Sequence, residues 1–286
     1  MASPVGQDTK MGGYARPAGI ALLDALLVGG QRIFTVEDAR VLACSLGTRE
    51  QAVPGLLHAL TTSGWVRRLR NGLYVADETR RGGPAPHPFA IATALVQPSA
   101  ISHWSALAYH GLTGQSPRLV TASTPRDVVT PRMRQHDRDP AQPASIWEVD
   151  GLAVRYFRVR LEHFWGHDEV CVDEFSRVHI TDRERTIVDG FLAPEVFGSL
   201  PEIMGALEEH LAKIDLTRLV AYAIRYGQAA TIKRLGYVLE TLGVPADVIR
   251  PLREAPISGY RLLDPQGPNE RRYEATWRLR LNMANQ

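Results

Sequence analysis

Residues 35–75 read TVEDARVLACSLGTREQAVPGLLHALTTSGWVRRLRNGLYV, and their order is two capped amphipathic segments followed by a basic hairpin. Thr35 offers a hydroxyl to a helix start and Asp38 returns a carboxylate three residues on, which together satisfy helix N–H groups that otherwise lack partners. Behind this cap Ala39, Leu42, Ala43 and Leu46 recur at helical spacing, and Gly47 supplies the left-handed residue that ends a helix. Thr48-Arg49-Glu50-Gln51 repeats the capping pattern, and Val53, Leu56, Leu57 and Leu60 form a second stripe. An upstream helix from Ala18 to Leu27 adds Ile20, Leu23 and Leu27 as the third wall of a small core.

The second stripe decides what faces outward, because a 3.6-residue period sets Thr48, Gln51, Gly55, His58 and Thr62 opposite the leucines. Gln51 has the two-atom amide that pairs with an adenine edge, and Arg49 suits a phosphate or a neighbouring guanine. Pro54 falls inside this expected helix and removes a backbone donor, so the helix is expected either to bend or to begin later. After Gly64 the pattern becomes β-prone, with Asn71-Gly72 as the turn of a hairpin. Arg67, Arg68 and Arg70 gather at its tip with Asn71, where guanidinium groups would meet phosphates or a minor groove. Helix, helix, helix and basic hairpin in this order spell a winged helix-turn-helix DNA reader over 18–76.

The chain has 286 residues, 44% of them apolar and 22% charged, an ordinary globular composition with room for two domains. A formal net charge of +2 is too small for a general polyanion binder, so contact with nucleic acid must come from local clustering. Lys10, Lys213 and Lys233 are the only lysines, and arginine carries nearly all the positive charge. Cys44 and Cys171 stand apart, which fits a reducing cytoplasm and argues against a disulfide framework or a cysteine metal site. Residues 1–17 are polar and glycine-bearing and are expected to be a flexible N-terminus without a signal peptide. No stretch has the apolar length of a membrane span.

Residues 77–88, with two arginines, two glycines and three prolines, read as a linker. Beyond it, 89–286 form a larger mixed domain. Pro88–Leu95 and Ser102–His110 are short helix candidates, and Leu119–Ala122, Leu152–Val159, Val170–Phe175 and Val178–Thr181 are strand candidates. Ser123 to Ser145 is polar enough to be a long loop. A capping-box-like start at Thr181-Asp182-Arg183-Glu184 opens a run of helices carrying Ile187, Ile203, Leu207, Leu219, Val220, Ile232 and Leu239. Arg272–Asn282 alternates and is expected to return to the sheet. Strands followed by helices make the chain α+β, an N-terminal winged helix-turn-helix domain joined to a larger mixed α/β C-terminal domain.

These residues have a family likeness. The hairpin Arg70-Asn71-Gly72-Leu73-Tyr74, then Ile101-Ser102-His103-Trp104-Ser105-Ala106-Leu107 with His110-Gly111-Leu112-Thr113, then Ile180 through Asp189, and finally Trp277 and Asn282, together resemble the AbiEi family of antitoxins from AbiE-type toxin–antitoxin systems. The resemblance spans most of the chain. It implies a bacterial antitoxin encoded beside a nucleotidyltransferase-like toxin. On this likeness the winged helix binds double-stranded DNA repeats of its own promoter and represses the operon, and the C-terminal domain neutralises the toxin. Carried onto this sequence, the DNA contacts fall on the helix from Thr48 and on Arg67, Arg68, Arg70 and Asn71, and no catalytic set comes with them.

His163, His167, Asp168, Glu169 and Cys171 are close in sequence but lack a recognised metal spacing, and they read as turn or surface residues. His103 and His110 bracket Trp104 and read as structural. Asp182, Glu184 and Asp189 resemble nuclease carboxylates, yet capping accounts for Asp182 and Glu184, and no lysine lies nearby. The chain therefore reads as a binding protein with no enzyme activity, cofactor or metal. A one-component regulator with a ligand-sensing C-terminal domain is the alternative, and a nucleic-acid-modifying enzyme stands behind both.

Overall fold

The computed structural model describes residues 11–131, 133, 146–269 and 272–283. It is a mixed α+β protein that divides into two compact units. The first takes the described residues up to Gln97 with Glu148–Leu152 and Val170–Val178, and the second takes the remainder.

In the first unit the order is α1 (Met11–Val28), β1 (Ile33–Thr35), α2 (Val36–Ser45), α3 (Val53–Thr62), β2 (Val66–Arg70), β3 (Leu73–Ala76) and α4 (Pro88–Leu95). The cap of α2 forms as its residue types demand: Asp38 N donates to Thr35 Oγ1 at 3.1 Å and Thr35 N donates to Asp38 Oδ2 at 2.7 Å. The helix ends at Gly47, which at φ +75° lets Thr48 N reach back to Ala43 O. Leu46, expected in the buried stripe, is the C-cap residue and is exposed, because the chain has already begun to reverse there.

The start of α3 departs from the expected cap at Thr48. Arg49 is the N-cap of one 3-10 turn, Glu50–Ala52, without a side-chain cap bond, and the α-helix proper opens at Val53. The reason is Pro54. A residue with no N–H is tolerated in the first turn, where that donor has no partner anyway, so the helix begins around it and is not kinked by it. Val53, Leu56, Leu57 and Leu60 are all buried, at about 1.5–3 kcal/mol for each side chain removed from water. They meet Leu22, Leu23 and Leu26 of α1 and Ala39 and Ala43 of α2. Ile20 and Leu27, which were expected inside, pack at the margin of that core.

β1, β3 and β2 make a three-stranded sheet in that order, with both pairings antiparallel. At the hairpin tip only Gly72 takes positive φ, and the register skips from Arg68↔Tyr74 to Arg70↔Leu73, leaving Leu69 as a bulge. The N-terminal helix is longer than expected and begins at Met11; residues 1–10 of the expected flexible segment lie outside the described residues. Helix α4 clusters with this first unit.

The strands of the rest of the chain are β4 (Ala100–Ile101), β5 (Val120–Thr124), β6 (Ile146–Val149), β7 (Leu152–Arg158), β8 (His167–Cys171) and β9 (Arg177–Thr181), with α5 (His103–Tyr109) after β4. Four of them stand in the order β7-β5-β4-β9, parallel except where β4 meets β5. Most of the expected long loop, 134–145, lies outside the described residues. Helices α6 (Arg183–Leu192), α7 (Leu200–Glu209), α8 (Leu216–Tyr226), α9 (Ala229–Thr241) and α10 (Ala246–Glu254) follow. They bury Phe191, Ile203, Leu207, Leu219, Leu235 and Leu239 in one core.

The C-terminal segment does not rejoin the larger sheet as expected. β11 (Tyr273–Glu274) and β12 (Leu279–Arg280) form a separate small sheet with β10 (Arg261–Leu262), ordered β10-β12-β11. Trp277 leaves the strand alternation to fill a gap above Gly236, where a Cβ would overlap its indole ring.

Candidate nucleic-acid interface

The exposed face of the first unit is built by subtraction. Once Val53, Leu56, Leu57 and Leu60 of α3 are committed to the core, Gly55, His58 and Thr62 are left outward on the same helix. Arg49 and Gln51, on the turn before α3, are exposed as well, and Thr48 is half-buried. The hairpin β2–β3 presents Arg68, Arg70 and Asn71 to solvent.

The three hairpin arginines differ in what they touch. Arg67 is half-buried, pairs with Asp150 and lies 3.7 Å from Asp77, so its guanidinium serves the packing of this unit. Arg70 donates from Nε to Leu95 O at 3.1 Å and from Nη1 to Asn71 O at 3.2 Å, which ties its guanidinium to two backbone carbonyls while the residue stays exposed. Arg68 donates to Asn71 Oδ1, so the turn residue orients it. Among the described residues neither Arg49 nor Arg68 has a carboxylate partner. Arg40 is spent on Glu37 at 3.4 Å and Glu50 at 3.7 Å. Thus Arg49, Arg68 and Arg70 carry the positive charge of this face. The ion pair with Asp150 that takes Arg67 away from it has no local signal in the sequence.

The carboxylates of the second unit are also engaged. Asp182 is the N-cap of α6, accepting from Arg185 N at 2.7 Å, and its other oxygen accepts from Tyr222 Oη at 2.9 Å. Burial outweighs those bonds and raises the Asp182 carboxyl; burial and that carboxylate together push the Tyr222 phenol up to about 12. The expected box with Glu184 is not what forms. Glu184 is buried and instead accepts from Asp215 N at 2.9 Å, where α8 begins. Asp189 pairs with Arg185 at 2.9 Å, both side chains only 3% exposed, and Arg185 also donates to the carbonyls of His163 and Trp165.

His163 closes a 3-10 turn and His167 opens β8, so the two do not share a helix face. Among the described residues no group of three or more His, Cys, Asp or Glu side chains is arranged to hold a metal ion. Cys44 and Cys171 are free thiols on the surface. Among the described residues no helix is long and apolar enough to cross a membrane.

The fold is similar to a solved one. The crystal structure of RV2827C protein from Mycobacterium tuberculosis superposes with a TM-score of 0.60 at 16% identity, covering 98% of this chain and 94% of that one. At that identity the likeness bears on the fold alone. No family model and no curated protein matches the chain.

Proposed function

We propose that the chain is a double-stranded DNA-binding autorepressor of the antitoxin kind, its first unit a winged helix-turn-helix and its second unit the part that neutralises a nucleotidyltransferase-like toxin. The DNA reading rests on one observation. Helix α3 buries one face completely and exposes Gly55, His58 and Thr62 on the other, next to a hairpin that presents Arg68, oriented by Asn71, to solvent at its tip. A helix of this kind fits a major groove, with the hairpin arginines along the flanking phosphates. In this reading Gln51 and His58 meet base edges, Arg49 and Thr48 meet the backbone, and Arg68, Arg70 and Asn71 form the wing contact. Arg67 supports the wing from behind.

The antitoxin part of the reading comes from the resemblance of the sequence to AbiEi proteins. It requires binding rather than catalysis, a neighbouring toxin gene, and a cytoplasmic site of action. A second reading, a regulator that senses a small ligand, is favoured by a cleft of about 440 Å³ in the second unit. A gel-shift titration against the DNA upstream of the chain's own gene and a scrambled duplex, at two salt concentrations, tests the first. A discrete complex on the upstream DNA that persists at the higher salt is the expected result. Equal and salt-labile binding to both duplexes would remove specific repression.

A further inference from the structure

The cleft in the second unit has walls of two chemical kinds. Trp104 and Phe157 supply aromatic rings, Arg118 and Arg155 supply charge, and the Arg155 guanidinium lies over the Phe157 ring at 4.8 Å from its centroid. Both arginines are exposed, and among the described residues neither has a carboxylate partner. No carboxylate is among the described residues that line the cleft, so the charged groups of its lining are both cationic.

Its floor is fixed before any ligand arrives. Thr121 of β5 donates from Oγ1 to Ser102 O at 2.6 Å and accepts from Ser105 N at 3.0 Å, while Thr121 N donates to Ser105 Oγ at 2.9 Å. These bonds tie the first turn of α5, which carries Trp104, to the strand. The parallel register sets Arg155 beside Thr121 and Phe157 beside Ser123, on one face of the sheet. Beneath Phe157 lies the buried ring of His103, at 4.2 Å between centroids. Burial lowers His103 from 6.5 to about 4, so at neutral pH the floor is uncharged and the two arginines alone set the sign.

We propose that this cleft binds a nucleoside monophosphate, its base against Trp104 and its phosphate held by Arg118 and by Arg155, whose guanidinium is seated over the Phe157 ring at 4.8 Å from the centroid. The size is that of a small-molecule site. Two guanidinium groups match the double charge of a phosphate monoester, where a carboxylate would neutralise only one. A bare phosphate would leave the Trp104 face uncovered. Gln115 at the rim has an amide that can both donate to and accept from a base edge.

This inference stands apart from the DNA reading, and its test contains no DNA. The full chain is titrated by isothermal calorimetry with AMP, GMP, CMP and UMP in turn, and then with inorganic phosphate and the four nucleosides. At least one monophosphate is expected to bind at one per chain and at least tenfold tighter than either phosphate or its own nucleoside. Arg118→Ala and Arg155→Ala should each weaken it at least tenfold, and Trp104→Leu should weaken it while leaving phosphate binding unchanged. Arg118 lies on an exposed loop, so its variant keeps the test valid if Arg155→Ala or Trp104→Leu fails to fold. Failure of all four nucleotides to bind at millimolar concentration would overturn the proposal. So would an Arg118→Ala protein that binds as tightly as the parent, or inorganic phosphate that binds as tightly as the best nucleotide.

Discussion

His103 occupies φ +55°, a left-handed backbone that costs a non-glycine residue roughly 1–2 kcal/mol. It is held there because its ring is packed between Phe157 and Phe197 and its Nδ1 meets Ser102 Oγ at 2.7 Å. Burial keeps this imidazole neutral in the folded chain down to about pH 4, whereas the unfolded chain takes up its proton near 6.5. Between those values the unfolded state binds more protons, so stability must fall as the pH drops, by about 1.4 kcal/mol per pH unit and about 3 kcal/mol in total. Urea titrations at pH 7.5, 5.5 and 4.5 measure this directly. His103→Gln should flatten the slope by its own share, leaving that from His87, His110 and His167, which burial shifts the same way. An unchanged slope in that variant would assign the acid sensitivity elsewhere. Gly236 poses a steric question instead. Because an added Cβ would overlap the Trp277 ring, Gly236→Ala should cost about 1–3 kcal/mol in the same urea assay, and a neutral result would mean that the small C-terminal sheet yields without loss.

At the level of elements, the hairpin β2–β3 separates two roles that its arginine-rich sequence presents as one. Arg67→Ala strips a partner from Asp77 and Asp150, and the expected result is a loss of roughly 1–3 kcal/mol in stability. Arg68→Ala removes a side chain anchored only to the turn, so melting temperature should hold while DNA affinity falls. Melting curves and gel shifts on both variants give the answer. If Arg68→Ala melts early and Arg67→Ala does not, the assignment is reversed. The sequence reveals this hairpin and the three helices before it because each is a short-range pattern. Thr35 and Asp38 are neighbours in a cap, Val53 to Leu60 is one period, and Asn71-Gly72 is one turn. What escapes local reading depends on distant partners or on which of two local rules prevails. Asp150 reaches Arg67 from far along the chain, and Glu184 leaves its own helix to accept from Asp215 N at the start of α8. Pro54 shows the second case: the cap pattern at Thr48 and the proline disagree about where α3 begins, and the missing N–H wins. Trp277 looked like an alternating strand position, but the hole above Gly236 decides its place. Likewise Trp104, Arg118 and the β7 pair Arg155 and Phe157 come from three separate segments and meet only in the folded unit.

For the molecule as a whole, a net charge of +2 leaves no strong field to draw in nucleic acid, so the salt dependence of DNA binding should count the local contacts and little else. Arg49, Arg68 and Arg70 are the exposed cations of the proposed face, with Arg67 and Arg40 spent on carboxylates. Each phosphate neutralised contributes a slope of about −0.9 to log K against log salt, so one chain on a half-site should give about −2.7. Alanine at Arg68 should then bring it near −1.8, on specific and scrambled duplexes alike, since a phosphate contact carries no sequence information. Gln51→Ala, by contrast, should leave the slope alone and cost about 1–3 kcal/mol at the preferred site only. Fluorescence anisotropy over a salt series measures all of these. A slope near twice the single-chain figure would mean two chains on adjacent half-sites, and Arg68→Ala would then remove about 1.8 instead of 0.9. A slope indifferent to Arg49, Arg68 and Arg70 would place the DNA surface on another part of the chain, because a charge that neutralises phosphate cannot be removed without changing the number of counterions released.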